Sequence, residues 1–251
     1  MTGLEELAVF GTGIAAGTIN TIVGSGTLIT FPTLLAFHFP PVVANVSNTI
    51  GLVPGSVSGA VGYRTELVGQ GRRARRLGIA AGLGGLTGGL LLLVLPAAAF
   101  KDIVPALIAL ACVLVIAQPA IARRMARRPA RRAPHPDGSL ALIAGVYATG
   151  VYGGYFGAAQ GVMLIGIMGL SLPDSLQRIN GLKNILAAII NGVAAILFLF
   201  AAHIAWRPAL LLAVGSTIGG QIGAKAGRRL PALALRILVV AVGIIAVVRL
   251  V

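Results

Sequence analysis

Gly84-Gly85-Leu86-Thr87-Gly88, followed by Leu95-Pro96 and Lys101, returns as Gly219-Gly220-Gln221-Ile222-Gly223, followed by Leu230-Pro231 and Arg236; every matched pair lies 135 positions apart. An earlier stretch repeats at a step of 132, where Pro41 and Asn48 answer to Pro173 and Asn180. Two copies of one hydrophobic unit therefore fill the chain. In membrane proteins such duplication is a common transporter plan, with the solute held where the copies meet.

Composition sets the solvent. The chain is 57% hydrophobic and only 10% charged, with a mean hydropathy of +0.95. Runs free of charge cover 7–63, 77–100, 103–122, 138–173 and 184–206. Several exceed the roughly 20 residues that cross a bilayer as a helix. Backbone polar groups in lipid must be satisfied internally, so these runs are expected to be helices. They lack the alternation of a membrane barrel. The net charge of +14 raises nucleic acid as a partner. Placement argues for topology instead: Arg64, Arg72, Arg73, Arg75 and Arg76 sit in one loop, and Arg123, Arg124, Arg127, Arg128, Arg131 and Arg132 in another. Both flank apolar spans, where basic residues mark the cytoplasmic side. The single Cys112 forms no internal disulfide, and an N-terminus bearing Glu5 and Glu6 does not read as a cleaved leader.

Breaks divide the runs. Gly24-Ser25-Gly26 and Phe39-Pro40-Pro41 cut the first into pieces at about 5–23, 27–38 and 42–62. The second copy matches with 140–156, 160–171 and 176–202, parted by Gly153-Gly154, Gly157 and Leu172-Pro173. Uninterrupted spans follow at 77–99 and 103–122, then at 207–227 and 232–251. The expected fold is an all-α polytopic membrane protein. It has two homologous four-segment repeats, each opening with a Gly-broken helical hairpin: residues 1–122, a basic cytoplasmic linker 123–138, and residues 139–251. Two arrangements are open. If each broken pair is one crossing, the halves run parallel; if it enters and returns, they are inverted. With both Arg loops inside, inversion leaves only Lys101, Arg207 and Arg249 outside. The parallel arrangement instead leaves Lys101 outside together with Arg178, Lys183, Lys225, Arg228, Arg229 and Arg236, so charge bias favours inversion.

Candidate site residues come from the breaks and the polar positions beside them. Glycines at 24, 26, 157 and 161, with Ser25, lie at equivalent interruptions, where freed N–H groups can face an anion. Elsewhere the many glycines let membrane helices approach closely. Asn48, Gln160 and Asn180 stand among buried polar residues (Asn20, Asn45, Asn184 and Asn191 are others), which either bond helix to helix or line a polar cavity. Arg178 and Lys183 bracket Asn180. They are anion ligands or, alternatively, topology-setting residues at a cytoplasmic span end, or Asp174 neutralises Arg178. No carboxylate lies within a span, which disfavours a cation pump. Catalytic motifs are lacking, and His38, His135 and His203 lack metal-ligand spacing, so no enzyme, metal or cofactor is expected.

Gly24-Ser25-Gly26-Thr27-Leu28-Ile29-Thr30-Phe31-Pro32-Thr33-Leu34-Leu35 resembles the first Gly-rich, Leu-x-x-Pro-x-Leu signature of the sulfite exporter TauE/SafE family. Pro40 to Asn48, followed by Pro54-Gly55-Ser56, is similar to its Pro-Pro and Pro-Gly-Ser stretch. Gly153-Gly154-Tyr155-Phe156-Gly157-Ala158-Ala159-Gln160-Gly161 resembles a degenerate second copy. The resemblance implies secondary transport of sulfite, a sulfonate such as sulfoacetate, or a related organic anion. The expected setting is the plasma membrane of bacterial inner-membrane type, crossed several times. The proposed ligands are Gly24, Ser25, Gly26, Asn48, Gly157, Gln160, Gly161, Asn180 and Lys183. The small anion and the lipid bilayer are the expected partners, nucleic acid is not one, and proton coupling and homo-oligomerisation are open. A passive anion channel and a non-transporting scaffold are the alternatives.

Overall fold

The computed structural model describes residues 1–126, 139–226 and 232–250. Residues 127–138 of the expected linker, and the pair Arg228-Arg229, lie outside the described residues. Among the described residues the chain forms ten helices and no strand: α1 (Gly3–Ile22), α2 (Thr27–Ala36), α3 (Pro41–Gly62), α4 (Gly71–Val94), α5 (Ala97–Ala126), α6 (Leu140–Tyr155), α7 (Gln160–Ser171), α8 (Leu176–Ala201), α9 (Trp206–Ala226) and α10 (Ala232–Leu250).

Local chemistry explains most boundaries. Thr2 and Glu5 form a reciprocal capping box that opens α1. Ser139 and Ser175 accept main-chain N–H bonds from the first turns of α6 and α8. Pro41 sits at the first position of α3, where its missing N–H costs nothing. Two helices depart from expectation: α5, expected at 103–122, runs from Ala97 to Ala126 and takes in Lys101, Asp102, Arg123 and Arg124. The span expected at 77–99 begins at Gly71, because Arg72, Arg73, Arg75 and Arg76 belong to the helix rather than to a loop.

Three helices are long and apolar enough to cross a membrane by length and composition: Gly71–Val94, Ala97–Ala120 and Leu176–Ala201. Helices α1 and α3 carry Gly, Thr, Ser and Asn on buried faces. Their polarity is directed at neighbouring helices, which lowers mean hydropathy without exposing polar groups to lipid.

Packing fixes helix directions. Along α4, Gly84 meets Tyr147 and Gly150 of α6, and Gly88 meets Val151 and Tyr155, so the two helices run parallel. Gly78, Gly85 and Gly89 meet Ile189, Ile190 and Ala194, so α8 runs with them. Along α9, Leu212, Ser216 and Ala224 face Gly51, Gly55 and Gly62 of α3. Gly13 and Gly17 of α1 face Leu212 and Ser216 in the same order. These two trios are opposed. Tyr63, after the C-terminus of α3, bonds Asn180 near the start of α8. Ser47, near the start of α3, bonds Ala205 beyond the end of α8. The segment 64–70 and residues 174–178 therefore share one end of the molecule, joined by Arg73–Asp174, Arg178 Nη1 to Val68 O at 3.2 Å, and Gln70 Nε2 to Arg178 O at 3.2 Å. Residues 37–40 and 202–205 share the other end.

Candidate functional site

Both interruptions exist, and they close in the same way. At the first, Val23 N and Gly24 N both donate to Ile19 O, at 2.7 and 3.0 Å; at the second, Phe156 N and Gly157 N both donate to Tyr152 O, at 2.9 and 3.1 Å. The turn then needs a left-handed residue, supplied by Gly24 at φ +90° and Gly157 at φ +77°. Ala159 adopts φ +59° as the residue before α7. Neither α2 nor α7 is capped by a side chain, so their first amides need other partners.

The two breaks touch. Gly161 N donates to Gly24 O at 3.1 Å. A Cβ on Gly161 would stand 2.5 Å from Gly24 Cα and 3.0 Å from Gly24 O, so the backbones meet only because both residues are glycine. The Gly161 amide, expected to face a solute, is committed to Gly24 in this conformation. At α2, Leu28 N turns back to Ser25 O and Ile29 N to Gly26 O.

Lys183 closes this junction. Its stem passes Gly161, and its Nζ donates to Asn20 O at 2.7 Å and Thr21 O at 2.9 Å. These carbonyls end α1, where the helix dipole favours a cation. Asn180 Nδ2 and Asn184 Nδ2 donate to the same Thr21 O, at 3.2 and 3.4 Å. Lys183 is 0% exposed, and no carboxylate among the described residues pairs with it. Asp174 instead pairs with Arg73 and, at 3.0 Å, with Arg178. The reading of Arg178 as a topology-setting residue neutralised by Asp174 fits its position; the same reading of Lys183 does not.

The other candidates divide. Ser25 is buried beside Gly24, and its Oγ has no hydrogen-bond partner; Thr21 Oγ1, Asn180 Oδ1 and Gln160 Oε1 are in the same condition. Gln160 Nε2 donates to Asn191 Oδ1 at 2.8 Å. Asn48 binds Thr30 and Thr27 of α2. That pins the first hairpin one turn past its break, and no bond joins Asn48 to Lys183 or Gln160. Sequence reasoning missed two contributors. Gln118 Nε2 donates to Val23 O at 3.4 Å from the middle of an apolar run, where a lone buried Gln was the only signal. Tyr63, read as the end of a span, receives the Asn180 amide at 2.9 Å.

Toward the end that carries residues 37–40, the junction is sealed by aromatic rings. Phe31 meets Phe156 edge-on at 5.2 Å, and Phe100 meets Tyr155 at 5.5 Å and Phe156 at 6.1 Å. Phe31, Phe100 and Phe156 are all buried. The arrangement is one buried lysine amine, bonded to main-chain carbonyls and without a carboxylate partner among the described residues, beside polar atoms that have no hydrogen-bond partner and with an apolar plug on one side.

Residues 9–250 match the family described as Sulfite exporter TauE/SafE. The chain is similar to a Haemophilus influenzae protein named "Probable membrane transporter protein", 26% identical over 231 residues that cover 89% of this chain and 86% of that one. It is similar also to the Escherichia coli K12 protein named "Probable membrane transporter protein YfcA", 25% identical over 222 residues, or 86% and 78% of the two chains. No solved structure matches. A family match spanning nearly every residue, over a bundle with two glycine-broken helices, shows that the chain belongs to the sulfite exporter TauE/SafE family.

Proposed function

We propose that this membrane transporter carries small sulfur-containing or organic anions, such as sulfite or sulfoacetate, across the bacterial inner membrane as a secondary transporter. The observation that carries the reading is Lys183: a fully buried lysine amine bonded only to the carbonyls of Asn20 and Thr21, at the contact between two broken helices. A cation kept in a membrane interior without a counter-ion needs a reason, and a transported anion supplies one. Ser25 and Asn180 add polar atoms beside it, and the amides that open α2 add positive partial charge.

Alternating access between two inverted repeats, 1–122 and 139–251, is the mechanism we favour. Several observations support inversion. Helices α1 and α3 run opposite to α6 and α8. The two breaks share one cap geometry. Asn45 donates to Tyr155 O at 2.9 Å near the end of α6, as Asn180 donates to Thr21 O near the end of α1. That pairing supports a step of 135 continued into α3 and α8, with Asn45 rather than Asn48 opposite Asn180. Opening would part Gly24 from Gly161 and free the Gly161 amide for the solute.

The test is flux in proteoliposomes holding the purified protein. Saturable sulfite or sulfoacetate counterflow, with trans-stimulation, is expected. Non-saturating current driven by voltage alone would identify a channel, and no flux or saturable binding would identify a scaffold.

A further inference from the structure

The basic residues that open α4 are not all spent on structure. Arg73 turns to Asp174 and to Gln70 Oε1, at 3.2 Å from the latter. Arg72, Arg75, Arg76 and Ile79 line an open groove of about 420 Å³, where Arg75 and Arg76 are both exposed. The first turn of α4 holds no acidic residue. Positions 72, 76, 79, 83, 86 and 90 fall on one face of a helix. The lower part of that face is the exposed apolar stripe Ile79, Leu83, Leu86 and Leu90. A cationic groove thus runs without interruption into a strip of aliphatic side chains on a helix long enough to span the bilayer.

We propose that this groove binds the phosphate of an anionic phospholipid, with one acyl chain along Ile79, Leu83, Leu86 and Leu90. Guanidinium groups bind phosphate oxygens in a planar fork, and Arg75 and Arg76 are both exposed at the groove. A soluble phosphate or a nucleic acid would use the arginines alone. Only a lipid uses the arginines and the contiguous aliphatic stripe together. The site lies at the end of the molecule that carries the basic segment 64–76, the cytoplasmic side by charge bias, where anionic headgroups meet basic residues. It is separate from the Lys183 junction and stands whether or not that junction carries sulfite.

The test is lipid binding to the full chain in a neutral detergent, read by native mass spectrometry and by thermal shift. Phosphatidylglycerol, phosphatidylcholine, inorganic phosphate and a short oligonucleotide serve as probes. Each arginine near an anionic surface is worth about a 5-fold change in binding. The double variant Arg75→Gln, Arg76→Gln should therefore lose roughly 30-fold in affinity for phosphatidylglycerol, while phosphatidylcholine binding and sulfite counterflow are unchanged. Arg207→Gln, at the opposite end, should leave phosphatidylglycerol binding as it was. Equal binding of the two lipids by the unmodified protein would overturn the proposal without recourse to any variant. So would phosphatidylglycerol affinity untouched by the double variant. Stabilisation by phosphate or oligonucleotide equal to that by phosphatidylglycerol would assign the groove to a soluble anion and overturn it as well.

Discussion

Replacing Lys183 by Met separates a transport role from a structural one, because the two predict different thermal behaviour. Met keeps the unbranched stem that passes Gly161 and removes the charge. Two charge-assisted bonds disappear, those to Asn20 O and Thr21 O; at about 1.5 kcal/mol each this costs about 3 kcal/mol. Thr21 O keeps the Asn180 and Asn184 amides, so only Asn20 O loses its side-chain donor. Against this, a lysine at the centre of a membrane helix is unfavourable by about 2.5–3.5 kcal/mol, which the neutral side chain recovers. The two terms offset to within about 1 kcal/mol, equivalent to a Tm change of about 2–4 °C for a chain of this size. Transport has no such offset. A unit charge about 4 Å from a bound anion, at an effective dielectric near 20, contributes about 4 kcal/mol, so kcat/KM for sulfite should fall by about 10³-fold. The assay is counterflow in proteoliposomes alongside a melting curve of the same preparation. Counterflow within threefold of the unmodified protein would refute the assignment of Lys183 to the anion. A fall in Tm beyond 10 °C with a parallel loss of flux would reduce Lys183 to a peg joining α8 to α1.

Gly161→Ala should lower Tm by about 2–10 °C, since its Cβ meets main-chain atoms of Gly24 first, with the Lys183 stem beside them, and overpacking of this kind costs about 1–3 kcal/mol; an unshifted melting curve would mean that the two breaks part freely. Asp174→Asn strips the shared partner from Arg73 and Arg178, whose side chains are 14% and 35% exposed. It should cost about 1–2 kcal/mol at low salt and less at high salt, and a loss indifferent to ionic strength would contradict an electrostatic clamp. In a Cys112→Ala background, Thr65→Cys and Pro173→Cys should react with an impermeant thiol reagent from one side of the membrane, and His38→Cys and His203→Cys from the other. Pro173 labelled together with His38 would exclude inverted repeats.

How much of this was legible follows from how local each signal is. The breaks were readable because Gly24, Gly26 and Gly157 announce themselves within a few residues, and α2 and α7 begin at Thr27 and Gln160, where the interruptions predict. Arg72 to Arg76 were misplaced into a loop because charge alone does not distinguish a loop from a helix that continues past the apolar run. Lys183 was identifiable as an awkward cation, but its burial was not, because a cation seven residues into α8 reads equally as a topology-setting residue at a span end until the packing of α8 on α1 is seen. Asn48 looked like a ligand by composition; its bonds to Thr27 and Thr30 depend on which face of α3 meets α2, and the polar run Asn45, Ser47, Asn48 and Thr49 goes round the helix and marks no single face. Gln118 and Tyr63 join partners 95 and 117 residues away, and such pairings leave no trace in the neighbouring sequence.

The two sides of the junction are chemically unequal, and this bears on how it opens. Carrying the step of 135 through α3 and α8 sets Lys183 opposite Asn48, so the charge belongs to one half alone. The aromatic seal is equally one-sided: at a step of 133, Phe31 and Phe156 answer to Leu164 and Val23. On the side of residues 37–40, opening must separate Phe31, Phe100 and Phe156, whose edge-to-face contacts add about 0.5–1.5 kcal/mol per pair beyond the area they bury. On the side of segment 64–70, the barrier is a layer of hydrogen bonds, from Lys183, Asn180 and Asn184 to Thr21 O and from Asn180 to Tyr63, and entering water replaces each of them at little net cost. On the proposed function, an anion arriving from the arginine-bearing side would meet wettable polar groups first and Lys183 at the bottom. The aromatic side would then open only when something compensates for its broken contacts, and an anion bound at Lys183 would be the agent available to do so, because a ligand shifts a conformational equilibrium by its differential affinity for the two states.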